Sequence, residues 1–313
     1  MADISIITPV LNQVSTIEAC IRSLASQNVD VEHIIIDGGS TDGTSDIIRK
    51  FEHQITYWKS ESDNGQSDAI NKGLQRASGT FFSWLNADDT LCEGALEKVL
   101  FNANEQSKII VGKCRHLNAN GETLSVGSAR IWNSLEATLA NYSMGQPAVF
   151  YRTSLVKELG GLNQALHLCM DMDLWFRFLL THGIEQIETV DDVLANFYLR
   201  DGSKSVNQEL EMIAEKYGIY HALLAPFKLP KVLKVFFEGY PIPNSVSYAE
   251  AKGLSPDVLF SNFAWHLMVR AYESSEPELA RSYFQIVQVG NRLSETEKWM
   301  WKARLAKSKL FES

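Results

Sequence analysis

Cysteine is scarce in this chain of 313 residues, and what there is does not cluster. Cys20, Cys92, Cys114 and Cys169 include no CxxC pair. They read as reduced structural thiols of a cytosolic protein, which excludes a zinc ribbon or a disulfide frame. No uninterrupted apolar run reaches the ~18 residues of a membrane span. Met1-Ala2-Asp3-Ile4-Ser5-Ile6-Ile7 passes straight into a strand pattern, so no signal peptide is expected. A basic surplus is also missing: the net charge of −9 offers no field that would draw in nucleic acid. There is no G-x-G-x-x-G after the first strand and no G-x-x-x-x-G-K-[ST] phosphate loop. A nucleotide bound here would need a metal, not a glycine-rich cradle, for its phosphates.

The hydrophobic content of 45% is that of a globular protein, and the length suits one large domain or a domain with an appendage. Strand and helix patterns alternate. Ile4 to Val10 is a strand, with a helical period at Ile17, Cys20, Ile21 and Leu24. Glu32 to Asp37 is a second strand, followed by the polar turn Gly38 to Thr44 and a short helix to Phe51. Ile55 to Glu61 is a third strand candidate, and Gln66 to Ala77 is a helix with Ile70, Leu74 and Ala77 on one face. Such alternation predicts an α/β fold with a mostly parallel, Rossmann-like sheet flanked by helices. Ligands of these sheets bind at the carboxyl ends of the strands, where Thr8-Pro9, Asp37 and Asp88-Asp89 fall.

The stretch Phe81 to Thr90 is the one most charged with chemistry. A short apolar run ends in Asn86-Ala87-Asp88-Asp89. Adjacent carboxylates repel and require a cation, hydrogen-bond donors or water. A hard divalent ion, Mg²⁺ or Mn²⁺, would bridge them to a substrate phosphate. Alternatively, Asp88 or Asp89 caps the helix expected from Glu93.

Lys108 to Gly112 is a strand, Asn118 to Gly121 a hairpin turn, and Gly145 to Arg152 a further strand. Ser154 to Leu159 is a short helix closed by Gly160-Gly161. Met170 to Phe178 opens a helix in which Asp171 complements the dipole and Asp173 pairs with Arg177 at i,i+4. Val193 to Arg200 is a strand, and Asp201 to Ser205 a polar loop. From about Val206 the chain reads as helical, broken near Pro230 and Pro241. In the last helix Trp299, Ala303, Ala306 and Leu310 share an arc, with Lys298, Lys302 and Lys309 beside it. Two readings stand: an interfacial helix on an anionic membrane, or a packed helix with a basic solvent face.

Ile6 to Asn12, Ile36 to Thr44, Asp63 to Gly73 and Leu85 to Asp89, in that order and spacing, resemble family 2 glycosyltransferases with the GT-A fold. Gly160 to Asn163 and Met170 to Trp175 resemble that family's acceptor-side motif. The resemblance covers about residues 3–205 and is nearest to the bacterial branch that builds surface polysaccharides. It implies a GT-A catalytic domain over 1–205, and the helical C-terminal extension over 206–313, which the resemblance does not reach, is expected to be acceptor- or membrane-associated. It further implies that Thr8 and Pro9 shape a nucleotide pocket and that Asp37 holds the base, typically uracil. Asp63 and Asn71 line the donor pocket, and Asn86-Ala87-Asp88 stands at the D-x-D position. Asp88 and Asp89 are the implied Mn²⁺ or Mg²⁺ ligands, and Asp171 the implied catalytic base. Arg200 and Lys204 are placed with the donor, Arg200 against its diphosphate.

Three positions depart from the pattern. Asn86 replaces an acid, which lowers ligand charge. Met170 replaces a Glu before the base. Arg200 stands where relatives carry His, and its fork can meet phosphate bidentately. The implied activity is an inverting transfer of the hexosyltransferase type, from a nucleotide-sugar, a UDP-sugar by preference, to a hydroxyl of a saccharide or lipid-linked saccharide. It would take place in the cytoplasm, with peripheral contact to the inner membrane face. The rival readings are a nucleotidyltransferase and a non-catalytic nucleotide-sugar or carbohydrate-binding module.

Overall fold

In the computed structural model, residues 3–200, 207–290 and 292–307 are described. Nine strands form one sheet: β1 (Ile4–Val10), β2 (Val31–Asp37), β3 (Tyr57–Ser60), β4 (Phe81–Trp84), β5 (Thr90–Leu91), β6 (Ile109–Leu117), β7 (Thr123–Ser128), β8 (Val149–Arg152) and β9 (Ile187–Tyr198). The order is β3-β2-β1-β4-β8-β6-β9-β5, with β7 on β6. β1 is buried along its whole length, as a strand covered on both faces must be, and takes a central place. β3, β2, β1 and β4 run parallel, so their carboxyl ends lie on one edge. Val10 pairs with Asp37 and Ile7 with Trp84 in that register. β8 is antiparallel to both β4 and β6, and β9 returns parallel to β6. The sheet is therefore mixed and mostly parallel.

The connecting helices are α1 (Ile17–Ala25), α2 (Thr44–Lys50), α3 (Gln66–Arg76) and α4 (Ala95–Asn102), then α5 (Leu135–Ala140), α6 (Thr153–Glu158) and α7 (Met170–His182). α1 buries Ile17, Cys20, Ile21 and Leu24, the four positions of its apolar period. α6 ends at Gly160 and Gly161, both at positive φ (80° and 77°), where a side chain would be strained. At Gly161 an added Cβ would also meet Asn71 Oδ1 at 2.4 Å. Asp173 pairs with Arg177 at 2.8 Å in α7, as the i,i+4 spacing predicts.

The chain divides into two compact units. One comprises Met1–Ala129, Ser143–Phe178 and Ile184–Ile213; the other comprises Arg130–Tyr142, Leu179–Gly183 and Ala214–Ser313. The second unit is helical: α8 (Glu209–Leu224, largely within it), α9 (Lys231–Phe237), α10 (Pro256–Glu273), α11 (Pro277–Val287) and α12 (Glu295–Lys307). Its core is aromatic, with Phe263 stacked on Phe237 at 5.3 Å and tilted against Tyr220 at 4.9 Å. No helix among the described residues is long and apolar enough to cross a membrane.

Three differences from the expected elements have physical causes. β6 runs on to Leu117 because the Asn118–Gly121 turn closes a hairpin with β7. β9 starts at Ile187, six residues early, because β6 supplies a parallel partner there. α12 packs through Trp301 and Leu305, with Trp301 edge-on to Trp265 and Tyr272 at 5.6 and 5.4 Å. Trp299, from the expected arc, is instead 69% exposed.

Candidate active site

The edge formed by the ends of β1, β2 and β4 carries most of the predicted residues. At the end of β2, Asp37 is fully buried. Ser45 and Ser60 hydroxyls donate to its Oδ2 at 2.9 and 2.5 Å, and Ser40 donates through N–H and hydroxyl to Oδ1 at 3.1 and 2.5 Å. Asp37 thereby pins the polar loop that follows it. Gly38 lets a second carboxylate approach: an added Cβ there would sit 2.8 Å from Asp63 Oδ2. The β2 and β3 loops thus bring Asp37 and Asp63 to one place. Thr8 faces inward, its hydroxyl 3.0 Å from His33 Nε2 and 3.8 Å from Cys20 Sγ. Burial pushes His33 down to about 3, so the ring is neutral at neutral pH. Pro9 is buried in β1, in register with Ile36.

Just beyond β4 the chain turns back, with Asp89 N–H donating to Asn86 O at 3.0 Å. Ala87 is buried in a cluster with Val10, Ile17 and Ile35, which seats the turn against β1 and β2. Asp89 is 1% exposed. Its Oδ1 accepts the Tyr198 N–H from β9 at 3.1 Å, and its Oδ2 faces Asn86 Nδ2 at 3.4 Å. Asn86 Oδ1 in turn accepts from Gln66 Nε2 at 2.8 Å. Burial, with the Asp88 charge beside it, holds the Asp89 carboxyl well above the usual range; Tyr198 N–H, Asn86 and Arg200 oppose this. Burial also raises Asp88, against its own backbone N–H and Arg200. Arg200 stacks over the Tyr198 ring at 4.5 Å. Neither aspartate caps α4. β5 intervenes, pairing with β9, and Gly94 in the left-handed region precedes Ala95. The capping alternative is excluded.

On the far side of β4, Asp171 lies in the first turn of α7, with Oδ1 accepting the Met172 N–H at 2.8 Å. Its charge reaches the buried Tyr151 of β8, which burial first and Asp171 second push upward. Asn71 grips both polar groups of the Leu162 backbone at 2.8 Å each, fixing the glycine turn after α6. Lys204 lies outside the described residues.

The structure therefore gathers Asn86, Asp88, Asp89 and Arg200 into one electrostatic group, and sets Asp63 against Gly38, next to Asp37 in the chain. Asn71 is committed to a backbone turn. Sequence reasoning assigned no role to Gln66, Tyr198 or His33. Gln66 stood within the quoted Asp63 to Gly73 stretch, as the first residue of a predicted helix, where a side chain can reach a neighbouring loop. Nothing marked Tyr198 or His33 among strand residues. Among the described residues no group of three or more His, Cys, Asp or Glu is placed to hold a metal.

A parallel α/β half-sheet, an antiparallel β8 and two adjacent aspartates at the shared strand edge, Asp89 buried and Asp88 partly so, fit a transferase of the GT-A type. The comparisons agree. Residues 5–154 match the model of glycosyl transferase family 2. A "PGL/p-HBAD biosynthesis glycosyltransferase" of Mycobacterium bovis is 32% identical over 182 residues, covering 55% of this chain and 68% of the relative. Among solved structures, S. aureus TarS 1-349 in complex with UDP superposes with a TM-score of 0.58 at 18% identity, over 98% of this chain and 88% of that one. A mannosyltransferase from Pyrobaculum calidifontis, in complex with GDP-Man and Mn²⁺, has a TM-score of 0.51 at 14% identity, over 98% and 82%. The chain belongs to glycosyltransferase family 2, and it is a glycosyltransferase.

Proposed function

We propose that the chain is an inverting glycosyltransferase that moves a sugar from a UDP-sugar to a hydroxyl of a saccharide or lipid-linked saccharide in polysaccharide biosynthesis. The observation that carries this reading is the adjacent pair Asp88-Asp89, Asp89 buried and Asp88 partly so, facing Arg200 at the edge where β1, β2 and β4 end. Residues 1–205 form the catalytic domain, and 206–313 meet the acceptor or the membrane. The work is done in the cytoplasm, peripherally on the inner membrane face.

The donor set fits a divalent ion. Two adjacent carboxylates stay above their ordinary range even with Arg200 opposing the rise, and Asp89 keeps one lone pair on each oxygen beyond its two hydrogen bonds. Two protein ligands leave the remaining positions to phosphate oxygens and water, which is how Mg²⁺ and Mn²⁺ are bound beside phosphates. Asp88 and Asp89 would hold the ion, which supplies positive charge to the diphosphate. GDP-Man with Mn²⁺ in the Pyrobaculum calidifontis mannosyltransferase supports this assignment by analogy, and UDP in TarS supports a uridine nucleotide as donor.

The protein's own groups do the rest. Asp37, Asp63, Thr8, Pro9 and Asn71 shape and brace the nucleotide pocket. Asn86, fixed between Gln66 and Asp89, meets a donor hydroxyl, with Ala87 as its buried anchor. Arg200, on its Tyr198 platform, meets the diphosphate, and Lys204 joins it as a donor contact. Asp171 takes the proton from the acceptor hydroxyl as it attacks the anomeric carbon from the face opposite the leaving diphosphate.

The reading is tested by thermal shift with UDP, GDP, CDP and NAD⁺, each with and without Mn²⁺. Stabilisation by UDP that grows with Mn²⁺ supports it. Equal stabilisation without metal removes Asp88 and Asp89 as ligands, and no response to any nucleotide overturns the donor site. Proton NMR of the product then reads the anomeric configuration, and retention overturns the inverting mechanism.

A further inference from the structure

Asp and Glu outnumber Lys and Arg by 38 to 29 in this chain, yet some cations have no carboxylate partner among the described residues. The helical unit has two such cations around one indole. Arg130 Cζ lies 4.2 Å from the centre of the Trp132 ring, and Arg292 Cζ lies 5.3 Å from the same centre and 5.2 Å from that of Trp265. Among the described residues neither arginine is in an ion pair. The charge of Glu297 reaches Arg292, but its Oε2 accepts the Ser294 N–H and hydroxyl at 2.8 and 2.7 Å. The two guanidiniums repel, and Arg292 is held below its ordinary value by burial and by Arg130.

Donors are in surplus as well. Arg292 Nη1 donates to Asn262 Oδ1, which also accepts from Asn141 Nδ2 at 3.2 Å. Arg292 Nε and Trp132 Nε1 are buried with no acceptor. Such groups are rare in folded proteins because an unmade buried hydrogen bond is costly. Unpaired positive charge and unpaired N–H groups around the same indole call for one kind of complement, a small anion with several oxygens.

We propose that Arg130, Trp132 and Arg292 form a binding site for a phosphate-class oxyanion. The planar guanidinium fork matches phosphate oxygens two at a time, and the indole N–H can only donate. Two cations suit a doubly charged group better than a carboxylate. Guanidiniums already cover the Trp132 ring, which argues against a sugar stacked on it. All three residues belong to the helical unit, so the site stands independently of the donor site at Asp88 and Asp89.

The Trp132 indole N–H is its own reporter. In a ¹⁵N spectrum of the full chain, one of the seven tryptophan indole resonances disappears in Trp132→Phe and is thereby assigned. Titration with inorganic phosphate is expected to shift that resonance and saturate. Arg130→Gln, at an exposed position, is expected to weaken binding about tenfold, and Arg130→Lys less. A resonance that does not move, or that moves with equal affinity in Arg130→Gln, overturns the site. Soluble glycerol phosphate and phosphatidylglycerol vesicles, titrated separately, distinguish a free phosphate ester from a lipid headgroup; an Arg130-dependent shift with either supports the site. The UDP thermal shift of Arg130→Gln is expected to match wild type, so loss of nucleotide binding and loss of this site are read apart.

Discussion

Asn86 turns its side-chain nitrogen toward Asp89 Oδ2, 3.4 Å away, and its oxygen toward the Gln66 amide at 2.8 Å. The orientation follows from the two partners, since the amide oxygen accepts from Gln66 and the amide nitrogen donates to the carboxylate. An acid at position 86 would set a third carboxyl beside Asp88 and Asp89. The asparagine therefore has a local reason, whatever it withholds from a metal.

Asn86→Asp is expected to lower stability in EDTA by about 1–3 kcal/mol, the usual consequence of unpairing a buried polar contact. Added ligand charge should let Mn²⁺ recover more stability than in wild type. Urea unfolding with EDTA and with Mn²⁺ checks this; equal losses in both would sink it.

Asp89 is raised in the folded chain and ordinary in the unfolded one. Below the unfolded value of about 3.9 both states hold the proton, and the group contributes nothing. As pH rises from there toward the raised folded value, the unfolded chain releases its proton first, so the metal-free protein loses stability over that window. Asp88 acts in the same direction. Asp89→Asn should melt higher than wild type in EDTA by a margin that grows above pH 4 and then levels off, and it should lose any Mn²⁺ response. A margin independent of pH contradicts the assignment.

Asp171 accepts the Met172 N–H through Oδ1, a bond that asparagine also makes. Asp171→Asn should fold normally and keep the UDP thermal shift. Transfer should fall by about 10²–10⁴-fold, the range for a lost general base. Wild-type turnover in this variant would place the base elsewhere.

The two tryptophans of α12 should behave oppositely. Trp301 is 7% exposed, and Trp301→Ala should cost about 3–5 kcal/mol in denaturant unfolding. Trp299 is 69% exposed, and Trp299→Ala should stay within about 0.5 kcal/mol of wild type. If α12 meets a membrane, Trp299→Ala should lower sedimentation with anionic vesicles. Unchanged sedimentation removes that helix from the proposal.

Local pattern was enough for the parallel half of the sheet. β1, β2 and β4 are short runs rich in apolar residues, and α1 and α3 show helical periods that depend on no distant partner. The carboxylates were legible for the same reason, as acids where a buried strand stops. What could not be read depends on partners far along the chain. β5 is two residues long and exists because β9 pairs with it. Asn71 is an ordinary helix polar residue until Leu162 arrives, and Gln66 until Asn86 does. Which face of α12 packs was not legible, because a helix with tryptophans on two faces does not reveal which one a neighbour will cover.

The hydrogen bond from Tyr198 N–H to Asp89 joins residues 109 apart, and the Asn71 grip on Leu162 joins residues 91 apart. During synthesis, a ribosome that has just passed Asp89 holds a chain whose acidic pair is still in water and ordinary in its acidity. The environment that sets those carboxylates apart comes into being only after β9 has emerged. A chain stopped before Tyr198 would carry every acid of the turn and still lack its pocket, so truncated products should bind neither nucleotide nor metal as a small-scale version of the whole.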